Sequence, residues 1–172
     1  MNEAMEVLLN RRSIRKYKPE QITREELDAV LEAGKRAPTG KNLESPIIVA
    51  VQDKETRDVL SRINAQILGV KSDPFYGAPT VLVVLAQASS AYAVQDGSLV
   101  MGNLMNAAKA IGLGSCWINR ARETFEREEG KNLLKKWGIE GDWIGIGNCV
   151  LGYSDEDPAL KPRKENYVYY VL

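Results

Sequence analysis

The 172-residue sequence contains no histidine, and this absence excludes much of ordinary enzyme chemistry. Serine and cysteine nucleophiles commonly depend on a histidine base, and most zinc or iron sites use imidazole ligands. The two cysteines, Cys116 and Cys149, are far apart and each is surrounded by apolar residues, which predicts buried free thiols rather than a disulfide framework or a metal motif. Demanding chemistry must therefore come from a cofactor.

Net charge and long apolar runs are also missing. Lys and Arg together number 23, as do Asp and Glu, so the net basic field that a nucleic-acid surface needs is absent and no nucleic acid is expected as a partner. Residues 1–6 contain acids where a signal peptide needs basic residues, and no apolar run is long enough to span a bilayer. These features predict one cytoplasmic domain over residues 1–172 with no membrane partner.

Hydrophobic periodicity predicts alternating helices and strands. Helices are expected over residues 3–10, from a capping box at Thr23 to Gly34, and over residues 54–68, 91–111 and 126–137; strands are expected over residues 46–51, 79–85, 115–118 and 143–153. The first two strands are apolar enough to be covered on both faces. The helix over residues 91–111 is apolar around its circumference, which fits either the core of a monomer or a subunit contact.

Two short basic clusters stand near opposite ends of the chain. The first is Arg11-Arg12-Ser13-Ile14-Arg15, and the second is Lys161-Pro162-Arg163-Lys164. Alternate side chains of an extended segment share a face, so each cluster can direct its cations at one small anion, and guanidinium, ammonium and hydroxyl donors suit a phosphate. Because the sequence has neither a P-loop nor a dinucleotide fingerprint, these side chains are predicted to bind a monophosphate.

Four segments together resemble a known family. They are the Arg-Arg-Ser-x-Arg opening, the loop Ala37-Pro38-Thr39-Gly40-Lys41-Asn42, the segment Gly112-Leu113-Gly114-Ser115-Cys116-Trp117-Ile118, and the Lys-x-Arg pair at Lys161 and Arg163 after a Leu-Gly-Tyr strand. Their order and spacing resemble those of the flavin-dependent nitroreductases. The resemblance implies an α+β fold with a central mixed sheet flanked by helices, and an entwined homodimer with FMN at the interface.

The resemblance also implies roles for individual residues. One subunit would bind the FMN phosphate and ribityl chain, place a cation beneath the pyrimidine, and lay backbone along the ring; the second subunit would reach the same flavin with its loop. The first set is Arg11, Arg12, Ser13, Arg15, Gly114, Ser115, Lys161 and Arg163, and the second is Pro38, Thr39, Gly40 and Asn42. Asn64, Gln66 and Lys71 are alternatives for one further flavin contact. No catalytic side chain is implied, because the chemistry would take place at flavin N5.

The implied activity is ping-pong electron transfer from NADH or NADPH to a nitroaromatic or quinone. Many family members follow the loop asparagine with x-Gln-Pro-Trp, where this chain has Leu43-Glu44-Ser45-Pro46, so an acid replaces the amide and the aromatic is lost near the substrate. Reductive dehalogenation and flavin breakdown, which relatives of this fold carry out, are alternatives. A non-catalytic FMN-binding module is another.

Overall fold

The computed structural model describes residues 2–172. Its helices are α1 (Glu3–Asn10), α2 (Arg24–Lys35), α3 (Lys54–Leu68), α4 (Ala93–Ala110), α5 (Ala121–Glu126) and α6 (Glu128–Lys136), with a 3-10 turn at Gly40–Asn42. Its strands are β1 (Pro46–Val51), β2 (Thr80–Gln87), β3 (Gly114–Ile118) and β4 (Trp143–Gly152). The α+β class expected from the sequence is confirmed.

The four strands form one sheet in the order β1-β2-β4-β3, and every neighbouring pair is antiparallel. Within residues 2–172, parallel pairing is limited to a single bridge between Ser13 and Ser115 on the outer side of β3. The mixed character of the sheet thus comes from the segment that follows α1. This bridge is also what brings the first basic cluster against β3.

The two faces of β2 carry two separate halves of the core. Val81, Val83 and Leu85 pack on the side of α3, α5 and α6, whereas Leu82 and Val84 pack on the side of α2 and α4. Because side chains alternate along a strand, only a strand covered on both faces can be apolar at every position. Burial on both faces is confirmed for β2.

Two parts of the fold differ from the sequence expectations. β1 lies at a sheet edge and is mostly half-buried, so its cover is less complete than that of β2, although Ile47 and Val49 pack on one half of the core and Ile48 on the other. The helix expected over residues 126–137 is confirmed as α6, which begins after Arg127 in an extended conformation, whereas the short helix α5 that precedes it was not expected. A Cβ on Gly130 would lie 2.0 Å from the carbonyl oxygen of Thr124, so α6 crosses very close to the end of α5.

The C-terminal segment runs outward from the fold. After β4, Tyr17 pairs with Ser154, and Lys16 forms an ion pair of 2.7 Å with Asp155. Residues 160–172 are all exposed, and the apolar side chains of the last six residues are more than 60% exposed. The tail therefore has no packing partner within residues 2–172.

Candidate functional site

A cleft of about 820 Å³ opens where α1 ends, α4 ends and β3 begins. α1 ends at Asn10, and Arg11 turns the chain into an extended conformation with φ of −63° and ψ of 133°. The chain then runs against β3, where the backbone N–H of Ile14 donates to the carbonyl of Ser115 at 3.0 Å. Four of the predicted residues line this first cleft: Arg11, Arg12, Gly114 and Ser115.

Arg11 is the residue of the first cleft best placed to bind an anion. Its side chain is half-buried, and Nη1 is buried without a hydrogen-bond partner among residues 2–172. Arg12 is engaged differently, since Nε donates to the carbonyl of Pro158 at 3.1 Å and Nη1 donates to that of Asn10. A buried guanidinium nitrogen without an acceptor costs free energy until one arrives, so the donor set fits a phosphate.

Acidic groups balance the cations of the first cleft. Glu3, Glu6, Glu156 and Asp157 line it together with the arginines and Lys109. Glu156 Oε1 accepts a hydrogen bond of 2.5 Å from the backbone N–H of Arg15, whose side chain is exposed. The cleft therefore offers hydrogen-bond donors for an anion, although its four acids outnumber its three cations.

Both thiols are buried and free, as predicted. Cys116 lies on β3 beside the basic cluster. Burial raises the pKa of the Cys116 thiol, although a hydrogen bond with Ser13 and the charges of Arg15 and Arg11 oppose the shift. Burial likewise raises the pKa of Cys149 to about 12. Both cysteines are therefore neutral at physiological pH, and neither is an activated nucleophile.

A second cleft, of about 780 Å³, opens beside the loop that follows α2. Pro38, Thr39 and Asn42 line it together with Glu44. The loop is conformationally strained, since Lys41, Asn42 and Glu44 have positive φ values of 53°, 56° and 49°, which residues other than glycine rarely adopt. Such outliers persist where surrounding structure holds them, and they cluster at functional sites.

Three contacts hold this loop. Thr39 Oγ1 accepts a hydrogen bond of 3.1 Å from the backbone N–H of Glu44. The backbone N–H of Gly40 donates to Asp96 Oδ1 at 2.8 Å. Gly40 also lies against Tyr92, and a Cβ at this position would approach the tyrosine ring within 2.5 Å. A glycine is therefore required here for packing rather than for its φ value.

The remaining candidates lie outside both clefts. Lys161 and Arg163 are exposed and make no hydrogen bond or ion pair with residues 2–172, so the structure does not bring them together with Arg11. Asn64 is fully buried; its Nδ2 donates to the carbonyl of Asn119 and its Oδ1 accepts from Arg120. Gln66 and Lys71 are exposed.

Sequence reasoning missed three residues that shape the clefts. Lys109, in the last turn of α4, adds a cation to the first cleft, and Glu156 adds an acid there. Asp96 supports the second cleft from the core. A signal was available for Asp96, because it is the one acid in the mostly apolar stretch over residues 91–111.

Within residues 2–172, no group of three or more Cys, Asp or Glu side chains is placed to hold a metal ion. Among the helices of residues 2–172, none combines the length and the apolarity that crossing a membrane requires.

Comparison with known proteins identifies the fold and the family. An NADPH-flavin oxidoreductase of Vibrio harveyi is 29% identical over 98% of this chain and 72% of its own length. A Bacteroides fragilis nitroreductase crystallised with bound FMN is 28% identical and superposes with a TM-score of 0.89 over 100% of both chains. An iodotyrosine deiodinase bound to FMN and 3-iodo-L-tyrosine is 21% identical, with a TM-score of 0.78 over 98% of this chain and 99% of its own, and shows the fold alone.

The family itself follows from a match along most of the sequence. The model that describes the Nitroreductase family matches residues 8–72 and 65–153, a span that includes all four strands, the second cleft and most of the lining of the first. The resemblance noted in the sequence is thereby confirmed. The chain belongs to the nitroreductase family.

Proposed function

We propose that this protein is an FMN-dependent oxidoreductase that passes electrons from NADH or NADPH to a small acceptor, a nitroaromatic or a quinone. The cofactor is FMN and the protein is an enzyme. The observation that carries the assignment is Arg11 Nη1, a buried guanidinium nitrogen without an acceptor in a cleft lined by two further cations. Membership of a family whose relatives are named as flavin oxidoreductases supports it.

The first cleft binds the phosphate end of FMN. Arg11 would supply the free guanidinium nitrogen, Arg12 and Ser13 would add donors beside it, and the backbone of Gly114 and Ser115 would contact the flavin. Arg12 also holds the start of the C-terminal segment through its hydrogen bond to the carbonyl of Pro158. Lys161 and Arg163 follow Pro158 by only three and five residues. These two exposed cations close over the phosphate when it is bound.

The flavin itself supplies the redox chemistry, because it accepts a hydride from reduced nicotinamide and returns electrons to the acceptor. The exposed guanidinium of Arg15 would supply a positive charge near the flavin and would favour its reduced form electrostatically. Neither cleft contains a histidine or an activated thiol, so the protein positions the reactants and solvent delivers protons.

The second cleft completes the flavin site of another subunit. The two clefts of one chain share no lining residue, and Pro38, Thr39, Gly40 and Asn42 all belong to the second cleft or its loop. A homodimer lets each FMN contact the first cleft of one chain and the second cleft of its partner. Apolar side chains left exposed on α1 and α4 and in the tail supply the dimer surface; they are Leu8, Leu9, Val94, Leu99 and residues 167–172.

The acceptor pocket is open and selects weakly. Glu44 lines the second cleft and brings a negative charge to the edge of the flavin, so anionic acceptors are disfavoured. Because selectivity requires contacts that only one substrate can satisfy, several unrelated nitroaromatics and quinones should be reduced with similar efficiency. The deiodinase shares the fold alone, and no residue of the described chain favours dehalogenation. A cytoplasmic location stays a prediction.

Purification under native conditions tests the proposal directly. A yellow protein is expected that releases FMN, and not FAD, on denaturation, and whose flavin absorbance bleaches within turnover time on anaerobic mixing with NADH or NADPH. Light scattering should report a dimer. A colourless protein that does not bind added FMN would contradict the cofactor assignment, bound FMN that is not reduced would indicate a binding module, and a flavin-loaded monomer would contradict the shared site.

A further inference from the structure

The proposed function gives no role to the buried carboxylate of Asp96. Asp96 lies in the first turn of α4 and is 2% exposed. Its Oδ1 accepts a hydrogen bond of 2.8 Å from the backbone N–H of Gly40, a residue 56 positions earlier in the chain. One side chain of the helical core is thus attached directly to the loop that lines the second cleft.

The bonding of Asp96 is incomplete. Oδ2 is also buried, and it has no hydrogen-bond partner among residues 2–172. No Lys or Arg side chain within residues 2–172 forms an ion pair with the Asp96 carboxylate. Removing a charged group from water with so few compensating bonds costs free energy, and an amide of the same shape would cost less. Within residues 2–172, the hydrogen bond from Gly40 is therefore the one side-chain bond that offsets the burial of this group.

The loop, by contrast, needs a fixed point. Three of its residues, Lys41, Asn42 and Glu44, adopt positive φ values that carry conformational strain. Strained backbone relaxes unless other contacts hold it. Gly40 is held on one side by Asp96 Oδ1 and on the other by the ring of Tyr92, and it begins the 3-10 turn that contains Asn42.

We propose that Asp96 is a positioning residue for the flavin. Its carboxylate fixes Gly40, and Gly40 in turn fixes Thr39 and Asn42 in the geometry in which they meet the FMN held by the partner chain. The inference rests on the proposed function, because the loop has a flavin to meet only if FMN is the ligand. Asp96 acts through the backbone of Gly40 and does not touch the flavin.

Three full-length variants test this role: Asp96→Ala, Asp96→Asn, and Gln95→Ala as a matched control at an exposed neighbour on the same helical turn. Hydrogen exchange of the Gly40 amide is measured by NMR on the apoprotein, and FMN affinity by quenching of flavin fluorescence at 25 °C. Asp96→Ala should speed exchange at least tenfold and weaken FMN binding about tenfold, because Asp96 Oδ1, the acceptor of that N–H, is lost. Asp96→Asn should restore both, since an amide oxygen accepts the same bond, and Gln95→Ala should change neither.

Several results would overturn the assignment. One is parental exchange and parental FMN affinity in Asp96→Ala. Another is a lower melting temperature with unchanged FMN affinity, which would indicate a purely structural residue. Asp96→Asn behaving like Asp96→Ala would show that the charge, and not the anchor, matters. If Asp96→Ala does not fold, Gly40→Ala is used instead, because its added Cβ would meet Tyr92 and displace the same loop. Parental FMN affinity in Gly40→Ala would also contradict the positioning role.

The exchange measurement also separates this inference from the proposed function. If the parent protein binds no FMN, the proposed function fails, while the Gly40 amide still reports whether Asp96 holds the loop. If the parent binds FMN and the Asp96 variants do too, with unchanged affinity, the proposed function stands and the positioning role fails.

Discussion

The two clefts are built in different ways, and the difference shows what each contributes to one site. The first lies where α1 and α4 end and β3 begins, and it is rich in charged groups. Arg11 is half-buried there, and its Nη1 has no hydrogen-bond partner among residues 2–172. The second is lined by a strained loop that offers one hydroxyl, one amide and backbone, and its two cations, Lys35 and Arg36, are both paired with Glu32. Charge-assisted bonds are stronger than neutral ones, so the first cleft should determine affinity for the phosphate and the second the placement of the ring.

Arg11→Ala should have the largest effect. Loss of one charge-assisted contact to a bound anion costs about 1.5–3 kcal/mol, which corresponds to a roughly ten- to hundredfold weaker Kd for FMN. Riboflavin, which lacks the phosphate, should bind the variant and the parent equally. Titration of both flavins into the apoprotein measures this, and an equal loss for riboflavin would show that the first cleft does not hold the phosphate.

Arg163→Ala should weaken FMN binding less, by about tenfold, because this side chain is exposed in the free chain and must be ordered when the ligand binds. Its effect should decrease as salt is raised, since exposed charges are screened. Lys164→Ala, at the exposed neighbouring position, is the matched control. Equal behaviour of the two variants would mean that the C-terminal cluster is a solvated basic segment and not part of the site.

Asn42→Ala should have a smaller effect that does not depend on the phosphate. The loss of a neutral hydrogen bond weakens FMN and riboflavin alike, by roughly two- to tenfold. Asn42 has a φ of 56°, so Asn42→Gly is needed as a control that removes the amide without adding backbone strain. Parental flavin affinity in Asn42→Gly would show that this residue serves only the shape of the loop.

Glu44→Gln should produce the smallest change, and only in the choice of acceptor. An exposed charge contributes about 0.2–1 kcal/mol, so the ratio of kcat/KM for a nitrobenzoate over that for a neutral nitro compound should rise by roughly two- to fivefold. Steady-state rates with both acceptors at saturating reduced nicotinamide give this ratio. An unchanged ratio would place Glu44 away from the bound acceptor.

The same comparison shows what could be predicted from the sequence. Periodicity and end signals predicted α3 with the bounds observed, Lys54–Leu68, because both depend on neighbouring residues. The short helix α5 was missed because six residues carry little periodicity, and its close packing depends on the approach of Gly130 of α6 to Thr124. Local patterns predict elements well and predict contacts between elements poorly.

The site follows this rule as well. The Arg11 to Arg15 cluster and the loop over residues 37–42 were found because their chemistry is contiguous in sequence. The bond from Gly40 to Asp96 spans 56 residues, and the strained conformation of Lys41 and Glu44 is not signalled by residue type. The distribution of the predicted residues between two separate clefts could be seen only once the chain was folded.

The central claim is that each FMN lies between the first cleft of one chain and the second cleft of another, and subunit mixing tests it most directly. Differently tagged chains carrying Arg11→Ala or the pair Thr39→Ala and Asn42→Ala are combined, and the heterodimer is isolated through both tags. Each homodimer should bind FMN weakly. The heterodimer should regain one site of parental affinity, since one of its two flavin sites joins an intact first cleft to an intact second cleft. A heterodimer with no restored site would contradict the account and place all the flavin contacts within one chain.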